Sequence, residues 1–96
     1  MADYSLAPTA ERELEEIWRY TSQHWGFNQA HRYVDILTAA FETLAQSPLS
    51  APPCDQVRTG YRRYGTGRHM IYFRIAERGI IIVRILHDRM DAPRHL

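Results

Sequence analysis

Residues 57–87 read VRTGYRRYGTGRHMIYFRIAERGIIIVRILH, and the fold turns on how that run divides. Apolar and polar side chains alternate with a period of two, the pattern of strands rather than helices. Gly65-Thr66-Gly67 and Glu77-Arg78-Gly79 interrupt it at hairpin intervals, giving strands at 57–64, 68–75 and 80–87 in an antiparallel meander. Strict alternation assigns Ile71, Phe73 and Ile75 to one face of the middle strand, and Ile81, Val83, Ile85 and His87 to one face of the last. The other face then carries Tyr72, Arg74, Ile82, Arg84 and Leu86, joined by Arg62 and Tyr64. It is expected to be an open surface of arginines and aromatics.

Upstream the period becomes helical. Tyr4-Ser5-Leu6 forms a short alternating piece that stops at Pro8, a residue suited to the first position of a helix because its missing N–H costs nothing there. Leu14, Ile17, Thr21 and Trp25 then recur at three- and four-residue steps, and Gly26 ends the helix. Glu15 and Arg19 add a favourable i to i+4 pair. Asn28 is the expected N-cap of a second helix whose stripe is Ala30, Tyr33, Leu37, Ala40, Phe41 and Leu44, closed by Ser47-Pro48. So short a connection folds the helices into an antiparallel hairpin. Residues 47–56 contain three prolines and no periodicity, and read as an irregular crossover. The expected fold is α+β, in the order β-α-α-β-β-β, with the helix hairpin on one face of a small antiparallel sheet. Residues 1–96 are read as a single domain, because a chain of this length encloses one core.

Composition narrows the function classes. Hydrophobic residues make up 45% and charged residues 24% of the chain, an ordinary globular balance. Cys54 has no partner cysteine, which removes disulfide frameworks and cysteine-based zinc sites and suits a reducing cytoplasm. No basic-then-apolar leader is apparent, and the apolar runs are too short to span a bilayer. The net charge of +1 conceals a division: through Val57 three arginines face eight acids, and from Arg58 onward nine arginines face three. Every basic side chain is Arg. Genomic base bias accounts for Arg over Lys, but not for the segregation, which suits an anionic partner held by bidentate forks.

The motifs "IWRYTSQHWG" with Ala30 and Tyr33, "GYRRYGTGRHMIYFRI" and "VRILHDRMD", following Tyr4-Ser5-Leu6 with Ala10 and Leu14, occur in an order and spacing that resemble the ParE toxins of the ParE/RelE superfamily. The resemblance covers nearly the whole chain. It implies the fold just described, a ParD-like antitoxin partner in a hetero-oligomeric complex, and inhibition of DNA gyrase. DNA would be contacted only indirectly, through the antitoxin, whose flexible acidic segment would fold on the basic surface.

The superfamily also contains ribosome-dependent RNA endonucleases resembling RelE, so the site must decide. His87 with Glu77 or His69, and Arg62, Arg74 or Arg84 as electrostatic stabilisers, would be the nuclease set. No lysine exists to form the cluster such enzymes use, and Asp88 follows His87 where a tyrosine-bearing tail is common. His87 is instead read as a structural histidine facing inward at a strand end, and Trp25, Gly26, His69 and His87 as residues of the structural motif. The residues nominated for antitoxin or target contact are Arg58, Arg62, Arg63, Tyr64, Arg68, Tyr72, Arg74, Arg84 and Arg89, with Asp91 in the tail. No catalytic residue, metal ligand or cofactor is assigned. His87, Asp88, Asp91 and His95 form only a loose collection without zinc-like spacing. Trp18, Tyr20, Trp25 and Tyr33 exceed what so small a domain encloses, which places some of them at an interface. A third reading, from another class, is a non-toxic partner and co-repressor of the antitoxin.

Overall fold

The computed structural model describes residues 3–90 and 92–96 of the chain. In order it comprises β1 (Asp3–Leu6), α1 (Pro8–Trp25), α2 (Phe27–Gln46), a 3-10 turn (Pro48–Ser50), β2 (Tyr61–Thr66), β3 (His69–Ala76), β4 (Gly79–His87) and a four-residue helix α3 (Ala92–His95). The sheet order is β1-β4-β3-β2. The meander β2-β3-β4 is antiparallel, but β1 lies parallel to β4, so the sheet is mixed where an antiparallel one was expected. A parallel neighbour needs a long connection rather than a hairpin, and the intervening helices and strands supply it. Gly79 is required for this pairing: a Cβ there, at φ +155°, would stand 1.7 Å from the Asp3 carbonyl oxygen.

Pro8 opens α1 as expected, and Gly26 closes it with φ 87°. Gly26 also serves as the cap of α2, which starts at Phe27. Asn28, expected to cap that helix, therefore lies inside its first turn. A single glycine in a region closed to other residues makes the reversal that antiparallel packing demands.

The main core lies between the helix hairpin and one sheet face: Ala10 from α1, Leu37, Phe41, Leu44 and Ala45 from α2, and Ile71, Phe73, Ile80, Ile82 and Ile85 from the sheet. Tyr4 flanks it, its ring 5.3 Å from that of Phe41. Each large side chain enclosed here contributes about 1.5–3 kcal/mol, which is why the long connections hold without covalent staples.

The assignment of faces in β4 departs from strict alternation. Phe73 pairs with Ile82 while Tyr72 pairs with Arg84, leaving Val83 as an unpaired extra residue in a β-bulge. The bulge resets the parity. Ile80 and Ile82 face the helices before it and Ile85 faces them after it, whereas Ile81 and Val83, expected inward, do not. Ile75, also expected inward, lies at the end of β3 and is 48% exposed. A run of four β-branched residues carries no alternation signal, so the sequence could not reveal where the parity changes.

The far face of the sheet is not open. Cys54 from the crossover, Tyr72, Leu86 and Ala92 of α3 form a second buried cluster, flanked by Val57, Tyr61, Met70, Val83 and Leu96. Tyr72 is 4% exposed, contrary to the expected open surface. The start of the expected first meander strand belongs to this cover: Val57 precedes β2, and Pro53 bridges to Arg62 along the outer edge.

A polar contact ties α1 to the sheet edge. Beyond Leu6 the chain leaves β1 for α1, with Ala7 N–H bonded to the Ile82 carbonyl at 2.9 Å. The remainder of β4 then has no strand on that side. Glu13 of α1 fills the gap: its Oε1 accepts the Ile85 N–H at 2.9 Å, and its Oε2 accepts Arg84 Nε at 3.0 Å and Nη2 at 2.7 Å. Arg84 also donates to the His95 carbonyl in α3, so one guanidinium joins both layers around the sheet edge.

Removing the carboxylate orphans a backbone N–H and leaves a sheltered cation unpaired. Glu13→Ala should therefore cost about 2–3 kcal/mol in urea denaturation. In a double-mutant cycle with Arg84→Ala the pair should show a coupling of about 1–2 kcal/mol; strict additivity would show that the contact is idle.

Candidate functional site

The residues nominated from sequence are dispersed by the ladder register, since directly opposed antiparallel residues share a face. Arg62 stands opposite Phe73 and Tyr64 opposite Ile71, so both lie on the helix face rather than beside Tyr72 and Arg74. Arg62 donates to the Ala51 carbonyl at 2.6 Å, pinning the crossover. Tyr64 lines a groove of about 260 Å³ against α2, with Ile36, Ala39 and Thr43. Arg63 and Arg74 share the far face with Tyr61, and Arg58 lies over the Tyr61 ring at 5.7 Å. Arg84, expected to meet a partner, is occupied by Glu13 and the His95 carbonyl, and its side chain is 21% exposed. Arg68 and Arg89 are exposed near the histidines, and Asp91 lies outside the described residues.

A titratable cluster forms where β3 begins and β4 ends. His69 and His87 are ladder partners, with rings edge to face at 5.5 Å. The Tyr33 hydroxyl accepts the Arg68 N–H at 2.9 Å and lies 2.6 Å from His69 Nδ1. When the hydroxyl donates its proton to Nδ1, the neutral imidazole carries its own proton on Nε2. Burial, reinforced by His87, lowers the His69 pKa, which favours the neutral ring that this bond requires. Burial also pushes the Tyr33 phenol up. Gly67 is shaped by the same contact: at φ +57°, a Cβ would come within 2.7 Å of the Tyr33 ring.

His87 Nδ1 lies 3.2 Å from the Arg89 N–H and 3.0 Å from Asp88 Oδ1. The first contact uses the nitrogen lone pair and the second needs a proton there, so one tautomer serves one of them at a time. The His87 side chain is 39% exposed, because α1 does not close over it. It opens onto a cleft of about 480 Å³ with Glu16, Tyr20, Thr21, His69 and Met90. An adjoining cleft of about 450 Å³ shares Tyr20, Thr21 and His87 and extends to Trp25, Gln29, Tyr33 and Arg68. Trp25, read as part of the helix stripe, is 72% exposed at this rim. Among the described residues, no three His, Cys, Asp or Glu side chains are grouped to hold a metal ion, and no helix is long and apolar enough to cross a membrane.

Two organising groups escaped the sequence reading. Glu13 falls three residues after Ala10, on the buried side of α1, and a carboxylate at a core-facing position is the signal that marks it. The Tyr33 hydroxyl gave no such signal, because its acceptor is 36 residues away.

A family model described as "ParE toxin of type II toxin-antitoxin system, parDE" matches residues 4–92. Toxin ParE1 of Mycobacterium tuberculosis H37Rv is 42% identical over 94 residues, covering 97% of this chain and 96% of that protein. Toxin ParE1 of Caulobacter vibrioides is 38% identical over 96 residues, covering 100% and 99%. Toxin ParE of Escherichia coli is 30% identical over 97 residues, covering 100% and 94%. A solved chain from the chromosomal ParDE TA system of P. aeruginosa superimposes with a TM-score of 0.76 over 91% of this chain and 96% of that one, at 19% identity, a likeness of fold.

A depressed His69 pKa means that the unfolded chain binds more protons just below pH 6.5. Stability should be full above about pH 6.5, the unfolded value, and fall as pH drops toward the lowered folded value. Urea midpoints at pH 7.5 and pH 5 should differ less in His69→Gln than in the parent; an unchanged difference would place the sensitivity elsewhere.

Proposed function

Because this chain belongs to the ParE toxin family of type II toxin–antitoxin systems, we propose that it is a non-catalytic toxin that arrests replication by binding DNA gyrase and is neutralised by a ParD-like antitoxin. One observation carries the non-catalytic reading: the sheet separates the histidines from the far-face arginines. His69 and His87 share the helix face with their neighbours Ile71 and Ile85, while Arg63 and Arg74 lie on the far face. Cleaving a phosphodiester requires proton-transfer groups and positive charge at one phosphorus. Of the arginines, Arg68 lines the adjoining part of the histidine cleft, Arg84 is occupied by Glu13, and His69 Nδ1 is committed to Tyr33. A gyrase blocker needs no such assembly, since the topoisomerase supplies the chemistry.

For the antitoxin, the groove between α2 and β2 offers the apolar area that a folding segment needs to offset its ordering entropy. Ile36 and Tyr64 line it and remain half-exposed. The bacterial cytoplasm is the compartment in which both partners would meet.

Purified toxin should inhibit gyrase supercoiling, and equimolar antitoxin should restore it. Ile36→Glu should weaken antitoxin binding at least about tenfold, an interface hot-spot loss, while leaving inhibition intact. Undiminished supercoiling at saturating toxin, with ribosome-bound message cut instead, would replace this reading with the nuclease; growth unaffected by toxin alone would favour the co-repressor.

A further inference from the structure

Three arginines share one corner of the sheet's far face. Arg74 stands directly across from Tyr61 in the β2–β3 ladder, Arg63 follows two residues along β2 on the same side, and Arg58 covers the Tyr61 ring. Arg58 and Arg74 are exposed and Arg63 is half-buried. Among the described residues, the ion pairs are Arg84 with Glu13 and His87 with Asp88, so none of the three has a carboxylate partner. Like charges at neighbouring cross-strand positions repel, and the Asp55 carboxylate beside this corner is bonded to the Gly60 N–H rather than ion-paired with any of the three. An external anion would relieve the repulsion.

We propose that this corner binds the phosphate backbone of duplex DNA, so that the toxin touches DNA directly, in addition to the protein it inhibits. The surroundings favour a nucleic acid over an acidic peptide. A disordered segment must bury apolar area to fold on its target, and the apolar side chains beneath this corner, Cys54, Tyr72 and Leu86, are already enclosed. The exposed apolar groove instead lies along α2, on the other side of the sheet. A stiff polyanion has no such requirement. It gains from counterion release wherever guanidinium forks meet phosphate oxygens. Binding of this kind is weak and blind to sequence.

The test uses antitoxin-free, full-length toxin and a fluorescein-labelled duplex of random sequence, followed by anisotropy between 50 and 200 mM salt. Three phosphate contacts predict a log–log slope of about −2.7, hence about a 40-fold loss of affinity across that range. R58Q/R63Q/R74Q should bind at least about tenfold more weakly at low salt, with a slope near zero. R12Q/R19Q/R32Q, which makes the same change in net charge at exposed helix positions, should stay within about twofold of the parent. If the triple variant does not melt like the parent, the exposed single changes R58Q and R74Q replace it, each reducing the slope by about one. Equal losses in both sets would reduce the effect to net charge and overturn the proposal, as would no loss in either. Retained duplex binding with lost affinity for the antitoxin's acidic segment would make the corner a peptide site and overturn it too.

Discussion

The carboxylate of Glu13 is the contact on which the arrangement of the layers depends. A short β1 covers only the first part of β4, and the exposed remainder would present unpaired backbone on the side where α1 passes. Edge groups of this kind are either satisfied or become sites of misassociation. Glu13 satisfies the Ile85 N–H with one oxygen and holds Arg84 with the other, and Arg84 reaches on to α3. One carboxylate thus fixes the height of α1 over the sheet, and with it the width of the cleft before His69 and His87.

The bulge at Val83 works in concert with this contact. By resetting the parity of β4 it allows Ile82 and Ile85 to enter the same core, and it brings Arg84 to the position from which its side chain rounds the edge. The far face then needs its own cover, provided by the crossover around Cys54 and by α3. What remains uncovered on that face is the arginine corner beside Tyr61. The open cleft is on the opposite side. The arginines of that corner and the histidines of the cleft are thereby set on different surfaces.

Membership of the ParE toxin family gives these surfaces a context. The protein presents an apolar groove along α2, an aromatic-rimmed cleft along α1 and a cationic corner behind the sheet, each with different chemistry. Because the three are separate, a segment folding along one groove would leave the others free. Burial and the neighbouring His87 lower the His69 pKa, which favours the neutral ring in its contact with Tyr33 at the cleft wall.

Local pattern determined a great deal. Periods of 3.6 and 2 gave the helix hairpin and the meander, Pro8 and Gly26 marked the bounds of α1, and the run of motifs pointed to the family. These features are legible because they are set by near neighbours, through backbone sterics and the repeat of apolar side chains. Facing and pairing were another matter. The sequence reading placed Ile81 and Val83 inward, grouped Arg62 and Tyr64 with Tyr72, and left the far face open, and each assignment failed for the same reason: register and bulge position depend on partners far along the chain. Nothing local in the isoleucine run at 80–82 fixes parity; the Phe73 and Tyr72 pairings do. Likewise Arg84 looked available until Glu13, 71 residues away, came within hydrogen-bonding distance. The sequence by itself determined the two long helices, the meander and the family to which they belong, but not α3 or the start of β2. Only the tertiary structure decided which charges remain free, because a charge is neutralised by its neighbours in space.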